Sequence, residues 1–213
     1  MTSWSADMTI RAVIFDVGGV ISTSPFEAFT RYEAANGLPD GLLRGLNATN
    51  PDSNAWARLE RSEVDLAGFA ALYEAEAAAA GHTIDGLAVL ALLGGEMRPA
   101  MVEAVRRCHE RLKTAFLTNN FVADRGDGGP WNGLSEHVDV LVESSRVGLR
   151  KPDPAIYRLV CAELGVEPQE AVFLDDLGVN LKPARALGMT TIKVVDPDAA
   201  LAELEAVVGF ALR

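Results

Sequence analysis

An α/β fold, with a doubly wound parallel sheet and an inserted all-helical cap, is predicted by three features of this sequence. Short apolar blocks, each of a length suited to a strand buried on both faces, recur at residues 11–15, 114–117, 138–142, 171–174 and 191–195. Helical stretches alternate with the later blocks, the pattern of a parallel sheet with helices on both sides. Between the first block and the second lie about 70 residues with helical patterning only, too many for an ordinary crossover.

The first block, Arg-Ala-Val-Ile-Phe, ends at Asp16 and runs into Gly18-Gly19, so it reads as a buried strand entering a turn. The following interval, residues 26–95, is rich in alanine and leucine and places apolar residues three and four apart: Phe26, Phe29 and Tyr32; Trp56 and Leu59; Leu66, Phe69, Ala70, Leu72 and Tyr73. Its breaks fall at Gly37-Leu38-Pro39, Asn50-Pro51-Asp52 and Gly81. Helices are then expected at 99–112, 155–164, 180–187 (closed by Gly188) and 198–208. The expected organisation is a flexible tail at 1–9, an α/β core from 10–24 and 97–213, and a helical cap at 25–96.

The 213 residues, 49% hydrophobic and 23% charged, supply ample core and exclude wholesale disorder. With 19 basic and 30 acidic residues the net charge is −11, so a nucleic-acid groove or an anionic membrane surface would meet a repulsive field. No stretch reaches the roughly 18 apolar residues of a membrane span, and residues 1–8 lack the basic and apolar regions of a signal peptide. Cys108 and Cys161 make no disulfide framework, and His82, His109 and His137 show no zinc-ligand spacing. A reduced, cytoplasmic setting is expected.

Sheets of this architecture bind ligands at the carboxyl ends of their strands. Asp16 follows the first block, Thr118-Asn119-Asn120 the second, Ser144 and Ser145 the third with Arg150-Lys151 beyond, and Asp175-Asp176 the fourth. Carboxylates gathered there from separate strands resist ionising unless a cation sits among them, and Mg²⁺ suits carboxylates, water and phosphate oxygens. Taken singly, these residues have plainer readings: Asp16 as a turn residue, Lys151 as a loop lysine, Asp175-Asp176 as a helix cap, Asn180 as a helix-start residue.

Taken together, Val-Ile-Phe-Asp16-Val-Gly-Gly-Val, Phe-Leu-Thr118-Asn119, Gly-Leu-Arg-Lys151-Pro-Asp-Pro and Phe-Leu-Asp175-Asp176-Leu-Gly-Val-Asn180 closely resemble the four ordered motifs of the haloacid dehalogenase-like (HAD) hydrolase superfamily. The wording is most similar to the phosphatase-like N-terminal domains of soluble epoxide hydrolase and of acyl-CoA dehydrogenase fusion proteins. The resemblance spans nearly the whole chain and places the helical insert where that family carries its cap.

By motif match, the resemblance implies that Asp16 is the nucleophile, attacking phosphorus to form an aspartyl-phosphate that water hydrolyses. It implies phosphoryl binding by Thr118 and Asn119, charge neutralisation by Lys151, and Mg²⁺ held by Asp16, the Gly18 carbonyl and Asp176, with Asp175 and Asn180 as supporting residues. One position departs from the pattern. Phosphatases of the family carry an acid/base aspartate two residues after the nucleophile, where this chain has Gly18. Slow hydrolysis of alkyl phosphates is therefore expected, with Asp124 and Asp127 of the following glycine-rich loop as candidate substitutes.

Three functions follow: a Mg²⁺-dependent phosphatase acting on a small phosphorylated metabolite, a 2-haloacid dehalogenase in which Asp16 attacks carbon, and a non-catalytic domain keeping the fold for binding. The first explains the acidic pair best, since dehalogenases of the family use no metal. No residue identifies a protein partner.

Overall fold

The computed structural model describes residues 9–122 and 133–213. The predicted tail lies outside the described residues except for Thr9, as do Asp124 and Asp127. Five parallel strands, β1 (Ala12–Phe15), β2 (Lys113–Thr118), β3 (Val140–Glu143), β4 (Ala171–Asp175) and β5 (Thr190–Lys193), form one sheet in the order β3-β2-β1-β4-β5. The chain winds outward to one side through β2 and β3 and to the other through β4 and β5. The doubly wound α/β class is thus the one the sequence predicts.

The alternation of side chains along β1 explains why helices cover both faces. Val13 and Phe15 point into a core shared with Met101, Val105 and Leu201, whereas Ala12 and Ile14 enter a second core with Ile156, Val160 and Leu181. The first core belongs to α6 (Pro99–His109) and α10 (Pro197–Val208), the second to α8 (Pro154–Leu164) and α9 (Gly178–Ala186). Proline opens α6, α8 and α10, where its missing N–H costs nothing. Asp153 and Asp196 cap α8 and α10 by accepting from Ala155 N and Ala199 N at 2.8 Å each. Between β3 and α8 the chain makes the single turn α7 (Ser144–Val147).

Boundaries shift from expectation for local reasons. The third strand begins at Val140 rather than 138 because residues 135–137 form a 3₁₀ turn and Asp139 turns its carboxylate onto the Thr114 N–H at 2.8 Å. The fifth ends at Lys193, leaving Val195 78% exposed. The first predicted helix of the core ends at His109, three residues early, and a wide turn over Val17–Ile21 follows β1, closed by Ser22 N donating to the Val17 carbonyl at 3.0 Å.

Between that turn and α6 lie α1 (Phe26–Ala35), α2 (Leu42–Ala48), α3 (Ala55–Glu60), α4 (Leu66–Ala79) and α5 (Gly86–Ala91), with a core of their own around Phe29, Leu43, Trp56, Phe69, Tyr73 and Val89. Trp56 meets Phe69 edge-on at 4.7 Å between ring centroids. Glu33 is buried in this segment, yet its two oxygens accept from Gly41 N and Leu43 N at 2.9 and 2.8 Å, which satisfies the carboxylate and the start of α2 at once. The segment's two crossings run side by side: Ser22 bridges Met97, and Thr23 N donates to the Glu96 carbonyl at 2.9 Å. Further along, Arg150 reaches back to Glu60 at 2.6 Å and to the Pro51 carbonyl at 2.7 Å, while the Ser62 hydroxyl donates to the Ser145 carbonyl at 2.7 Å.

Candidate active site

Asp16, Thr118 and Asp175 stand at the carboxyl ends of β1, β2 and β4, and β1 and β4 flank the point where the winding reverses. The Asp16 N–H donates to the Leu174 carbonyl at 2.8 Å, which holds the two acidic strand ends together. Lys151 arrives from the loop between α7 and α8. Its side chain is 1% exposed, and Nζ lies 2.8 Å from Asp16 Oδ1 and 2.7 Å from Asp175 Oδ2. A lysine so buried is a structural member of the site, and the plain loop-lysine reading does not survive.

Asn119 acts on Lys151 from behind. Its amide nitrogen donates to the Lys151 carbonyl at 2.9 Å and its amide oxygen accepts from Lys151 N at 2.8 Å, a reciprocal pair that fixes the lysine backbone. The side-chain amide expected to reach a phosphoryl group is thus engaged with Lys151. Thr118 is buried, with no hydrogen-bond partner for its hydroxyl among the described residues. Asn120 extends the lattice: its amide donates to Glu143 at 2.6 Å and accepts from the Ser145 hydroxyl at 2.8 Å, and Ser144 Oγ accepts from its backbone N–H at 2.9 Å.

Asp175 is fully engaged. Oδ1 accepts from Leu177 N at 2.8 Å and Oδ2 from Lys151, while the buried Asn180 amide lies 3.1 and 3.0 Å from the two oxygens. Asn180 sits in the first turn of α9, and its own carbonyl accepts from the Tyr157 hydroxyl at 2.7 Å. It is thus both a first-turn residue of α9 and a hydrogen-bond partner of Asp175. The cap position is held by Leu177, and Asp175 serves the helix start from two residues ahead by accepting from its N–H, while Asp176 makes no such bond.

Asp176 differs from its neighbour. Among the described residues it makes no hydrogen bond or ion pair to another side chain, and it faces the wide turn after β1. Gly19 in that turn has φ +78°, and a Cβ there would lie 2.3 Å from Asp176 Oδ2. Glycine is required twice over, for the backbone and for the carboxylate's approach. Gly18, by contrast, has φ −63° and ψ 126°, and a Cβ there would meet nothing within 4 Å.

Carboxylate oxygens of Asp16, Asp175 and Asp176 lie within 4.8 Å of one another. Three carboxylates against the Lys151 ammonium leave an excess of negative charge at the site, offset in part by the Arg98 guanidinium. The proton affinities register this excess. Burial, reinforced by Asp175 and opposed by Lys151, holds Asp16 well above the ordinary carboxylate value, and burial with the Asp175 charge pushes Asp176 up to about 6. Burial works against the Lys151 ammonium, but Asp16 and Asp175 together outweigh it and keep the lysine charged. The donor set fits a small hard cation: Asp16 retains Oδ2 after Oδ1 has taken Val17 N and Lys151, and Asp176 is free of side-chain partners. Gly18, the expected carbonyl ligand, lies in the turn that joins Asp16 to Gly19.

A family profile described as haloacid dehalogenase-like hydrolase matches residues 10–188, which hold every motif residue of this site. The chain belongs to the haloacid dehalogenase-like hydrolase family. It is 37% identical over 216 residues to acyl-CoA dehydrogenase family member 10 of Mus musculus and 34% identical over 221 to bifunctional epoxide hydrolase 2 of Sus scrofa, matching 98% and 96% of this chain. The chain spans only 20% and 40% of those two proteins' lengths. It is also 30% identical to a phosphatase of Mycobacterium tuberculosis, across 85% of this chain and 86% of that one. Among the described residues of this HAD-family hydrolase, no helix is long and apolar enough to cross a membrane.

Two contributors were not singled out in the sequence. Arg98, next to Pro99 at the start of α6, donates from Nη1 to the Gly19 carbonyl at 2.6 Å and to the Val20 carbonyl at 3.3 Å. Glu60 meets Arg150, the residue beside Lys151. Neither lies in a recognisable motif, and only the contact reveals it. A cavity of about 410 Å³, lined by Leu59, Ser62, Val64, Leu66 and Val122 among others, opens between the helical segment and the residues that follow Thr118-Asn119-Asn120.

Proposed function

We propose that this chain is a Mg²⁺-dependent phosphatase of small phosphorylated metabolites, working through an aspartyl-phosphate on Asp16. The observation that carries the reading is the charge imbalance at the switch point: three gathered carboxylates, one ammonium, and an Asp176 with no side-chain partner. Attack on carbon, as in a 2-haloacid dehalogenase, needs no cation and leaves Asp176 unexplained. The phosphatase relative of Mycobacterium tuberculosis, similar over most of both chains, supports the same choice.

In this reading Asp16, the Gly18 carbonyl and Asp176 hold Mg²⁺, which when bound offsets the negative charge of nucleophile and substrate. An Asp16 oxygen forms the new bond to phosphorus as the bond to the leaving oxygen breaks, with that oxygen keeping the electron pair. Water then attacks phosphorus as the Asp16–phosphorus bond breaks, which returns the Asp16 carboxylate and releases phosphate, and the proton that water gives up balances the one the leaving oxygen takes from solvent. Lys151 neutralises charge on the phosphoryl oxygens, Thr118 donates its hydroxyl to them, and the Asn119 pair and the Asp175–Asn180 contacts keep Lys151 in place. Residues 25–96 act as the cap over a core of 10–24 and 97–213. The setting is cytoplasmic, in keeping with two free buried cysteines.

The test is a phosphatase screen over a metabolite panel, with and without Mg²⁺, on the parent and Asp16→Asn. Mg²⁺-dependent phosphate release that vanishes in Asp16→Asn is expected. Release that persists in Asp16→Asn, or that ignores Mg²⁺, rejects the reading.

A further inference from the structure

We infer that Arg98 is a positioning residue for the cation site, holding the Gly18–Gly19 turn in register with Asp176. The inference rests on the Mg²⁺ reading above and goes beyond its ligand set.

Four observations converge on this arginine. Its Nη1 donates to two successive carbonyls of the turn, Gly19 at 2.6 Å and Val20 at 3.3 Å. Its backbone N–H donates to the Ile21 carbonyl at 2.8 Å, so both its main chain and its side chain grip the same five-residue turn. Among the described residues it forms no ion pair with a carboxylate, so its directional contacts go to the turn rather than to an acidic partner. The turn also lies close against Asp176, because a Cβ at Gly19 would strike its carboxylate. Arg98 thus holds the Gly19 and Val20 carbonyls while Asp176 lies against Gly19, with Gly18 between Asp16 and the held peptide.

Charge and geometry make opposite predictions here, which makes the inference testable. A guanidinium near Asp176 repels a nearby cation and draws the Asp176 proton affinity down. If Arg98 acted by charge alone, removing it would tighten Mg²⁺ binding. If it acts by holding the turn, removing it loosens the placement of the Gly18 carbonyl relative to Asp16 and Asp176, and binding weakens. Mg²⁺ is intolerant of such looseness because it demands near-ideal octahedral geometry. Outer contacts that orient metal ligands are typically worth about 10- to 100-fold in affinity.

The experiment is titration calorimetry with MgCl₂ on metal-free parent, Arg98→Met, Arg98→Lys and Asp176→Asn, well below each protein's unfolding temperature. Arg98→Met is expected to bind at least about tenfold more weakly than the parent, within the range for such outer contacts. Arg98→Lys, which keeps the charge and one donor toward the turn, should fall between the two. Parent-like or tighter binding in Arg98→Met overturns the inference. If Arg98→Met fails to fold, Arg98→Lys decides: weaker binding than the parent supports the clamp, and equal or tighter binding overturns it. Asp176→Asn separates this from the underlying reading. Should Asp176→Asn bind Mg²⁺ as the parent does, the metal assignment itself has failed. Should it bind weakly while both Arg98 variants match the parent, only the clamp has failed.

Discussion

Gly18→Asp is the perturbation that bears most directly on chemistry, and the structure says it can be made cleanly. The backbone at Gly18 (φ −63°, ψ 126°) suits any residue, and a Cβ there meets nothing within 4 Å. One position further on, the same change would be ruinous, since Gly19 has φ +78° and Asp176 Oδ2 would lie 2.3 Å from its Cβ. In the proposed reading, an aspartate two residues after Asp16 would supply what the parent lacks at that position, a proton for the leaving alcohol and then a base for the attacking water. A positioned acid/base contributes about 10²–10⁴-fold, equivalent to roughly 3–5 kcal/mol of barrier. The gain should be large for an alkyl phosphate, whose leaving oxygen is strongly basic, and small for an aryl phosphate, whose leaving oxygen needs no proton.

The assay measures kcat/KM for one alkyl and one aryl phosphate at saturating Mg²⁺, in the parent, Gly18→Asp and Asp16→Asn. Saturation matters because a further carboxylate changes the charge of the cation site. The expected pattern is a slow parent on the alkyl substrate, a rise of one to several orders of magnitude in Gly18→Asp, and no turnover of either substrate in Asp16→Asn. A parent already fast on the alkyl phosphate and unmoved by Gly18→Asp would refute the argument. A replacement acid/base would then be at work, with Asp124 and Asp127 the first candidates.

Gly19→Ala should lose Mg²⁺ affinity and cost at least ~1–3 kcal/mol of stability, because the methyl group must displace Asp176 while the backbone stays in the left-handed region; unchanged calorimetric binding would count against the placement of Asp176. The Asp176 proton affinity sets a pH dependence whose sign is fixed. Its pKa rises to about 6 on folding, so the folded chain holds that proton more tightly than the unfolded one, and metal-free stability falls as pH rises from about 4 to about 6, by at most ~3 kcal/mol. Over the same window the competing proton on Asp176 weakens Mg²⁺ binding as pH drops, by up to about tenfold per unit below 6; calorimetry at pH 5, 6 and 7 checks it, and Asp176→Asn should lessen the dependence, leaving the part that Asp16 contributes. Burial pushes the Cys108 thiol up to about 12 and the Cys161 thiol up to about 11, so neither should react with a thiolate-selective alkylating reagent at pH 8 until the protein is denatured, as read by intact mass.

The fold was legible because strand and helix signals here are local and mutually consistent. Buried parallel strands announce themselves as uninterrupted apolar runs, and Pro99, Pro154 and Pro197 mark helix starts through their fixed φ and missing N–H. What failed were the ends, where a tertiary partner decides. No local rule says that Asp139 will spend its carboxylate on Thr114 and delay the third strand by two residues. Nor does local pattern disclose that Glu33, a charged residue on an otherwise amphipathic helix, turns inward to satisfy two N–H groups ahead of and within α2.

The site divides along the same line. Asp16, Thr118, Asp175 and Asp176 could be picked out as candidates because each stands at or just beyond the end of an apolar block, where an α/β sheet collects its polar groups, whereas Lys151, eight residues past β3, was picked out through its motif. Asn119 was readable as a member of the site, but its contact with the Lys151 backbone was not. From the sequence it belongs beside Thr118 as a phosphoryl donor, while in the structure its amide is committed at both ends to the Lys151 backbone, across 32 residues of chain. Arg98 was illegible for a deeper reason. Its partners are backbone carbonyls of Gly19 and Val20, and a carbonyl leaves no trace in a sequence, since every residue has one. Side chains that meet other side chains leave complementary residue types to be noticed, whereas side chains that hold the main chain do not. Residues that position a site through its backbone are therefore the ones a sequence is least able to reveal, and in this chain the turn between Asp16 and Ser22 is held in just that way.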